Sequence, residues 1–405
     1  MTVISLRALL ILLVSVPAFA QKPLCDEVPQ IMQQLSEITG MKVRHAVPCA
    51  FITRAEVNKY LKDRVKEAAK PDEIRAEELT LKKFGFVPQD FNLEKNTVDL
   101  LTEQAAAFYD YNKKKLFITE SDSKDSQEPV LAHELGHALA DQNYNLAKFV
   151  KQGRKSDDGS TARLAVMEGQ ATWLMSEFLA RQSGQTLVHN PRLAAQMAKV
   201  SDSSDGEYPV FEKEPLYLRV TLVFPYTKGM LFQNAVTDRD GKPGFGEVFQ
   251  NAPLSTQQIM HPQRYFDGTK PTDPKLPDVK LAHGYKGLVG GSLGELEHHI
   301  LIQQAVSEAK AEEIAPHWRG CNFALAENKK LGRIILFYVS EWDSPASARQ
   351  FLEAYRASMK KKWKTMTVST ETADMVEGEG DDGRFELRVN GAIVTSIEGM
   401  APELN

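Results

Sequence analysis

Residues Val130 to Asp141, V-L-A-H-E-L-G-H-A-L-A-D, constrain this chain of 405 residues more than any other stretch. Residues four apart on a helix stand one above the other on the same face. His133 and His137 can therefore offer two imidazole nitrogens to one metal ion, with Glu134 beside them. This is the spacing of a zinc site whose glutamate serves as general base for hydrolysis. The helix is well specified. Ser126 is placed to cap it, Gln127 and Glu128 suit its first turn, and Pro129 is tolerated there. Val130, Leu131, Leu135, Ala138 and Leu139 supply its apolar surface. Two histidines also fall four apart on ordinary helices; the adjoining glutamate and the small Gly136 inside the motif argue for the metal.

A hydrolytic zinc ion takes three protein ligands and keeps one position open. The stretch from Thr161 to Met175 reads as a second helix, apolar on most sides and capped near Asp157, Asp158 or Ser160. Glu168 is the acidic residue in that frame. Buried carboxylates are rare unless paired or metal-bound, which makes Glu168 the candidate third ligand. Gly169 and Ala171 would let another backbone come close.

An H-E-L-G-H followed about thirty residues later by a helical glutamate resembles the gluzincin branch of zinc metallopeptidases, of which thermolysin is the familiar member. Ala132 to Gln142 (A-H-E-L-G-H-A-L-A-D-Q) with Glu168 to Ala171 (E-G-Q-A) is similar to a group of uncharacterised secreted bacterial metallopeptidase-like proteins. Phe108-Tyr109-Asp110, Phe224 to Gly229 (F-P-Y-T-K-G) and Ser255 to Tyr265 (S-T-Q-Q-I-M-H-P-Q-R-Y) match further patterns of that group, Met260 standing where leucine is usual. The resemblance implies a zincin-like fold, Zn2+ held by His133, His137 and Glu168, and Glu134 as the base. It departs from thermolysin after the third ligand, because no N-E-x-x-S-D surrounds Glu168. Asp141, one turn beyond His137, is the candidate to orient a ligand histidine; it reads equally as a surface charge at the helix end. The oxyanion of an acyl-transfer intermediate wants a donor from outside the metal helices. Tyr226 and His261 are the candidates, each with a structural alternative: Tyr226 in a turn after Pro225, His261 capping a loop before Pro262.

The N-terminus is a separate object. Arg7, the apolar run Ala8 to Val16, and Ala18-Phe19-Ala20 before Gln21 make a secretory signal peptide cleaved near Ala20. The apolar run is short for a membrane span, so no stable anchor is expected and the mature chain is secreted or periplasmic. In that oxidising setting a disulfide between Cys25 and Cys49 would staple the N-terminal segment and leave Cys321 as a buried thiol. No C-x-x-C occurs, so the cysteines make no zinc site. Cleavage removes Arg7 and no other charge, taking the formal net charge from −5 to −6, which argues for no nucleic-acid partner.

Along the remaining chain, helices are expected over 26–38, 54–69, 72–83 and 192–200, with a short strand over Met41 to Ala46 and a hairpin within Thr102 to Thr119. A strand beside the metal helix would suit an extended peptide, whose main chain adds to a sheet edge. A polar loop covers 151–160, and Pro215 to Met230 leads into a helix ending near Val236. Residues 267–286 are rich in Pro, Gly, Asp and Lys. A helix over 293–311 carries His298 and His299, which as neighbours cannot both face one metal and are surface or packing residues. Strands over 322–327 and 333–339, a helix from Pro345 to Met359 and strands over 373–376, 384–389 and 392–398 follow, the last two joined by Asn390-Gly391.

The expected class is α+β, a mostly helical zincin-like catalytic region with a small β-sheet plus a C-terminal α+β unit. The expected division is a signal peptide at 1–20, a helical region at 21–100, a zinc metallopeptidase core at 101–266, a linker or long loop at 267–289 and the C-terminal region at 290–405. The function this implies is hydrolysis of peptide or protein substrates by a zinc-activated water with Glu134 as base. The alternatives are a zinc-binding structural or interaction protein without turnover, and a zinc hydrolase of non-peptide amides.

Overall fold

The computed structural model describes residues 24–104, 106–119, 127–153, 156–200, 208–278 and 283–400. The expected signal peptide and Ser126 lie outside the described residues. The fold is α+β. Helix α1 (Leu24–Thr39) is followed by strand β1 (Cys49–Ile52), α2 (Arg54–Ala68), α3 (Pro71–Phe84) and α4 (Leu93–Gln104). The Cys25–Cys49 disulfide is formed and ties α1 to β1, while Cys321 is a buried free thiol. Residues 41–46 are not a strand. Their backbone is held instead by side chains from the end of the metal-motif helix: Gln142 accepts from Arg44 N–H and donates to the His45 carbonyl, and Asn143 donates to the Lys42 carbonyl. The strand lies slightly later, where Cys49 to Ile52 pair in parallel with the second strand of the hairpin.

That hairpin, β2 (Ala107–Asp110) and β3 (Lys115–Thr119), gives a three-stranded sheet of order β1-β3-β2. Residues 102–104, expected in the hairpin, close α4 instead. The chain then enters α5 (Gln127–Tyr144), α6 (Leu146–Gly153) and the long α7 (Asp157–Gln182). Ser156 caps α7 by accepting from Gly159 N–H, so the helix starts inside the expected polar loop. After α8 (Pro191–Val200) and α9 (Pro209–Lys213), α10 runs unbroken from Leu216 to Asp240 with Pro225 inside it. The proline forfeits one helical hydrogen bond, to the Thr221 carbonyl, and burial of the helix on both sides of it offsets the loss. Helices α5, α7 and α10 form the centre of this half, and α5 is buried on every side from Val130 to Asp141.

Short helices α11 (Gly244–Gln250), α12 (Thr256–Met260) and α13 (Pro262–Phe266) lead to the C-terminal half. There β4 (Lys286–Gly291), β5 (Trp318–Asn328), β6 (Arg333–Trp342), β7 (Met366–Glu371), β8 (Met375–Gly380), β9 (Gly383–Asn390) and β10 (Ile393–Met400) build one antiparallel sheet of order β4-β5-β6-β10-β9-β8-β7. The expected helix over 293–311 is two helices, α14 (Glu295–Ala305) and α15 (Glu308–Ile314), split where Ser307 caps the second. Together with α16 (Pro345–Lys362) they cover one face of the sheet. Residues 272–276 do not hang free. Thr272 N–H donates to the Arg319 carbonyl, Asn322 donates to Asp273, and Leu276 packs on the outer face of the sheet. One core joins the inner face of this sheet to α7 and α10, and a second surrounds α5. Among the described residues no helix is long and apolar enough to cross a membrane.

Candidate metal centre

One turn of α5 presents His133 and His137, and the middle of α7 presents Glu168 to the same point. His133 Nε2, His137 Nε2 and Glu168 Oε2 lie 3.2 Å from one another on all three sides. Protons cannot satisfy all three sides at once: both rings can donate an N–H to Glu168, but the two ring nitrogens are then left 3.2 Å apart with no hydrogen between them. It suits a metal: in a tetrahedral site with bonds of about 2.0 Å the donor atoms stand about 3.3 Å apart, and nitrogen with carboxylate oxygen is a donor set that zinc takes. Among the described residues this is the one group of three His, Cys, Asp or Glu side chains close enough to share an ion. All three are buried.

The electrostatics follow from burial and proximity. Burial lowers the pKa of His133 and keeps the ring neutral, the form that offers a lone pair. Burial would lower His137 as well, but the Glu168 carboxylate raises it above its ordinary value. Burial would raise Glu168; the two histidines outweigh this and hold it at about 2, so it is a carboxylate throughout the ordinary pH range.

Glu134 is buried beside the trio and burial pushes its carboxyl up to about 8; a cation held by the trio would favour the ionised form that a base requires. Its Oε2 accepts from the Tyr109 backbone N–H at 2.7 Å. Its Oε1 makes no hydrogen bond. Tyr109 is in β2, the edge strand next to α5. Ala106 already bonds to Thr119 across the hairpin, so by alternation Ala107 and Tyr109 turn their backbone groups outward, toward the helix. Tyr226, from α10, lays its ring parallel to that of His133, with centroids 5.9 Å apart. Its hydroxyl is buried with no hydrogen bond, and burial followed by the charges of Glu168 and Glu134 drives its pKa well up, so it stays a donor.

The helices that carry these groups meet at small residues next to each of them. Gly136, beside His137, faces the backbone of Ala171; Gly169, beside Glu168, lies against Gly229, one turn after Tyr226. A Cβ on Gly169 would sit 2.1 Å from the carbonyl carbon of Gly229.

Two expected residues lie elsewhere. His261 turns its ring to Glu295, with Nε2 and Oε1 2.7 Å apart. Thr256, at the start of the same short helix, bonds Asp158 in the first turn of α7, ten residues or about 15 Å along the helix from Glu168. The buried side chains of the S-T-Q-Q stretch serve this junction: Gln257 donates to the Trp318 carbonyl and Gln258 to the Thr269 carbonyl. Asp141 does not orient a histidine. It accepts from Tyr109 Oη at 2.9 Å, Lys114 Nζ at 2.6 Å and Leu146 N–H at 3.0 Å. His298 is core, bonded to Tyr338 Oη and the Gly294 carbonyl, and His299 pairs with Glu308. Tyr109 was not visible from the sequence as part of the site; its F-Y-D stretch and the period of two in the hairpin are the only signals for it.

Residues 88–182, which include the trio, Glu134 and Tyr109, match the family model of the IrrE N-terminal-like domain, a peptidase family (M78). The match supports a metallopeptidase-type hydrolase with zinc-dependent, peptidase-like function at the level of that family, acting on protein or peptide substrates. Residues 284–404 match a domain of unknown function, DUF8575. No curated protein and no solved structure matches the chain.

Proposed function

We propose that the chain is an exported, gluzincin-type zinc metallopeptidase. The observation that carries the reading is the equal 3.2 Å triangle of His133, His137 and Glu168 with a hydrogen-bond-free oxygen of Glu134 and the Tyr226 hydroxyl beside it. His133, His137 and Glu168 would hold the ion. When bound there, zinc supplies Lewis acidity, lowering the pKa of water and polarising a carbonyl oxygen. Glu134 Oε1 takes a proton from the attacking water as its oxygen bonds to the carbonyl carbon, then passes that proton to the amine nitrogen as the carbon–nitrogen bond breaks. Tyr226 donates its hydroxyl hydrogen to the oxyanion and keeps it, since its surroundings disfavour the phenolate. Export rests on the N-terminal signal sequence, which agrees with the Cys25–Cys49 bridge.

The burial of all five side chains favours a second reading, in which a small non-peptide amide is the substrate. The test is hydrolysis of a peptide library and of small amides by wild type and Glu134→Gln, each stripped with a chelator and reloaded with zinc. Peptide cleavage that follows reloading and falls at least a hundredfold in Glu134→Gln is expected. Cleavage of small amides alone supports the second reading, and turnover unaffected by Glu134→Gln removes both.

A further inference from the structure

Glu134 is held by one hydrogen bond, and its donor is a backbone N–H that no substitution short of proline removes. What fixes that N–H is therefore what fixes the carboxylate. Tyr109 makes two contacts with the same helix. Its N–H donates to Glu134 Oε2 at 2.7 Å, and its side-chain hydroxyl donates to Asp141 Oδ2 at 2.9 Å. Residues 134 and 141 are seven apart, two turns along one face of α5, so the strand is bolted at two points of that face. Asp141 is itself pinned. Lys114, from the hairpin turn, reaches the same Oδ2, and Leu146 N–H at the start of α6 occupies Oδ1. Tyr109 and Asp141 are both buried, so neither contact is loosened by water.

We infer that Tyr109 is the positioning residue of Glu134: its hydroxyl, anchored on Asp141, locks the strand so that its N–H holds Oε2 and leaves Oε1 as the proton-accepting oxygen. This rests on the reading of Glu134 as the base. Tyr109 itself touches no reacting atom. The role of Asp141 is then to anchor the strand that orients the base. That gives a helical Asp at this spacing a task in the site without contact to a ligand histidine.

The test is Tyr109→Phe, which keeps the ring and the backbone donor and removes the bolt. Tyr60→Phe is the control. The Tyr60 hydroxyl bonds Asp110 in the same strand at 2.9 Å and its ring stacks on Phe108, but no hydrogen bond joins it to α5. Two readouts are taken on protein of unchanged circular dichroism: peptide-hydrolysis kinetics, and amide exchange by mass spectrometry of the segment spanning Ala107 to Asp110. The expected result for Tyr109→Phe is a kcat lowered about tenfold or more, as for other small misplacements of a catalytic group, with KM within about twofold, wild-type zinc content and faster exchange of the segment. Tyr60→Phe should leave kcat at the wild-type level. Wild-type kcat and protection in Tyr109→Phe overturn the inference, as does an equal loss in Tyr60→Phe, which would mean that any lost hydroxyl merely loosens the strand. If the wild type cleaves no peptide, the proposed function fails on its own account and exchange alone decides. Faster exchange in Tyr109→Phe but not in Tyr60→Phe supports the bolt, and equal exchange removes it.

Discussion

Gly169→Ala places the heaviest demand on the packing around the site. The added Cβ would lie 2.1 Å from the Gly229 carbonyl carbon, 2.4 Å from its oxygen and 2.6 Å from its Cα. Carbon atoms in contact stand about 3.5 Å apart or more, so α7 and α10 have to part by roughly 1.4 Å at this point. No flexible side chain is there to absorb the shift, since all three atoms are backbone. Overpacking costs about 1–3 kcal/mol, and with backbone on both sides the upper end, about 3 kcal/mol, is expected. The same displacement shifts Glu168, beside Gly169, relative to the two histidines and carries Tyr226, one turn from Gly229, away from His133, so zinc affinity and turnover fall together with stability. The assay is urea denaturation of Gly169→Ala beside Gly287→Ala. A Cβ at Gly287 meets nothing within 4 Å, and its change should stay within about 0.5 kcal/mol. Equal stability of the two variants would mean that α7 and α10 have room for a methyl group at this crossing.

Three further outcomes follow from the same structure. The folded pKa of His298 is pushed down to about 4 by burial, only partly offset by its bond to the Gly294 carbonyl, against 6.5 when unfolded. The unfolded chain therefore binds a proton that the folded one refuses between those values, and this group removes about 3 kcal/mol of stability as pH falls from 6.5 to about 4; denaturation across that window should show the component in wild type and not in His298→Gln. Replacing Cys25 and Cys49 together by alanine opens a loop of 24 residues and should cost about 3 kcal/mol in denaturant melts; an unchanged midpoint would mean that α1 and β1 stay in place without the bridge. Tyr226→Phe should keep its zinc and lose about a hundredfold in kcat at similar KM, whereas unchanged kcat would reduce Tyr226 to a packing residue.

What the sequence made legible was local. The H-E-x-x-H spacing, the apolar frame of α5 and α7 and the turn at Asn390-Gly391, where Gly391 has φ +58°, need no tertiary information. Helix α4 was missed because L-E-K-N-T-V-D-L-L-T-E-Q has few apolar residues and leads directly into the aromatic, strand-like stretch of β2. Strand β7 was missed because it is a sheet edge, exposed at five of its six residues, and the alternation of M-T-V-S is too short and too polar to mark it. Strand β4, K-G-L-V-G-G, reads as a loop until β5 pairs with it. Pro225 suggested a break that buried packing overrode. In the site, the convergence of Glu168 on the histidines follows from a buried acid near a glycine. The placing of Tyr226 with them and of His261 apart from them depends on how α10 crosses α7 and where α12 docks, and the role of Asp141 depends on a strand more than twenty residues upstream.

Zinc content per chain of purified protein, wild type beside Glu168→Ala, tests the metal centre most directly. About one zinc per chain in the wild type and a large loss in the variant are expected, since a catalytic site of this kind depends on all three protein ligands. Unchanged binding in Glu168→Ala, or no zinc in the wild type after reconstitution, would contradict the three-ligand site.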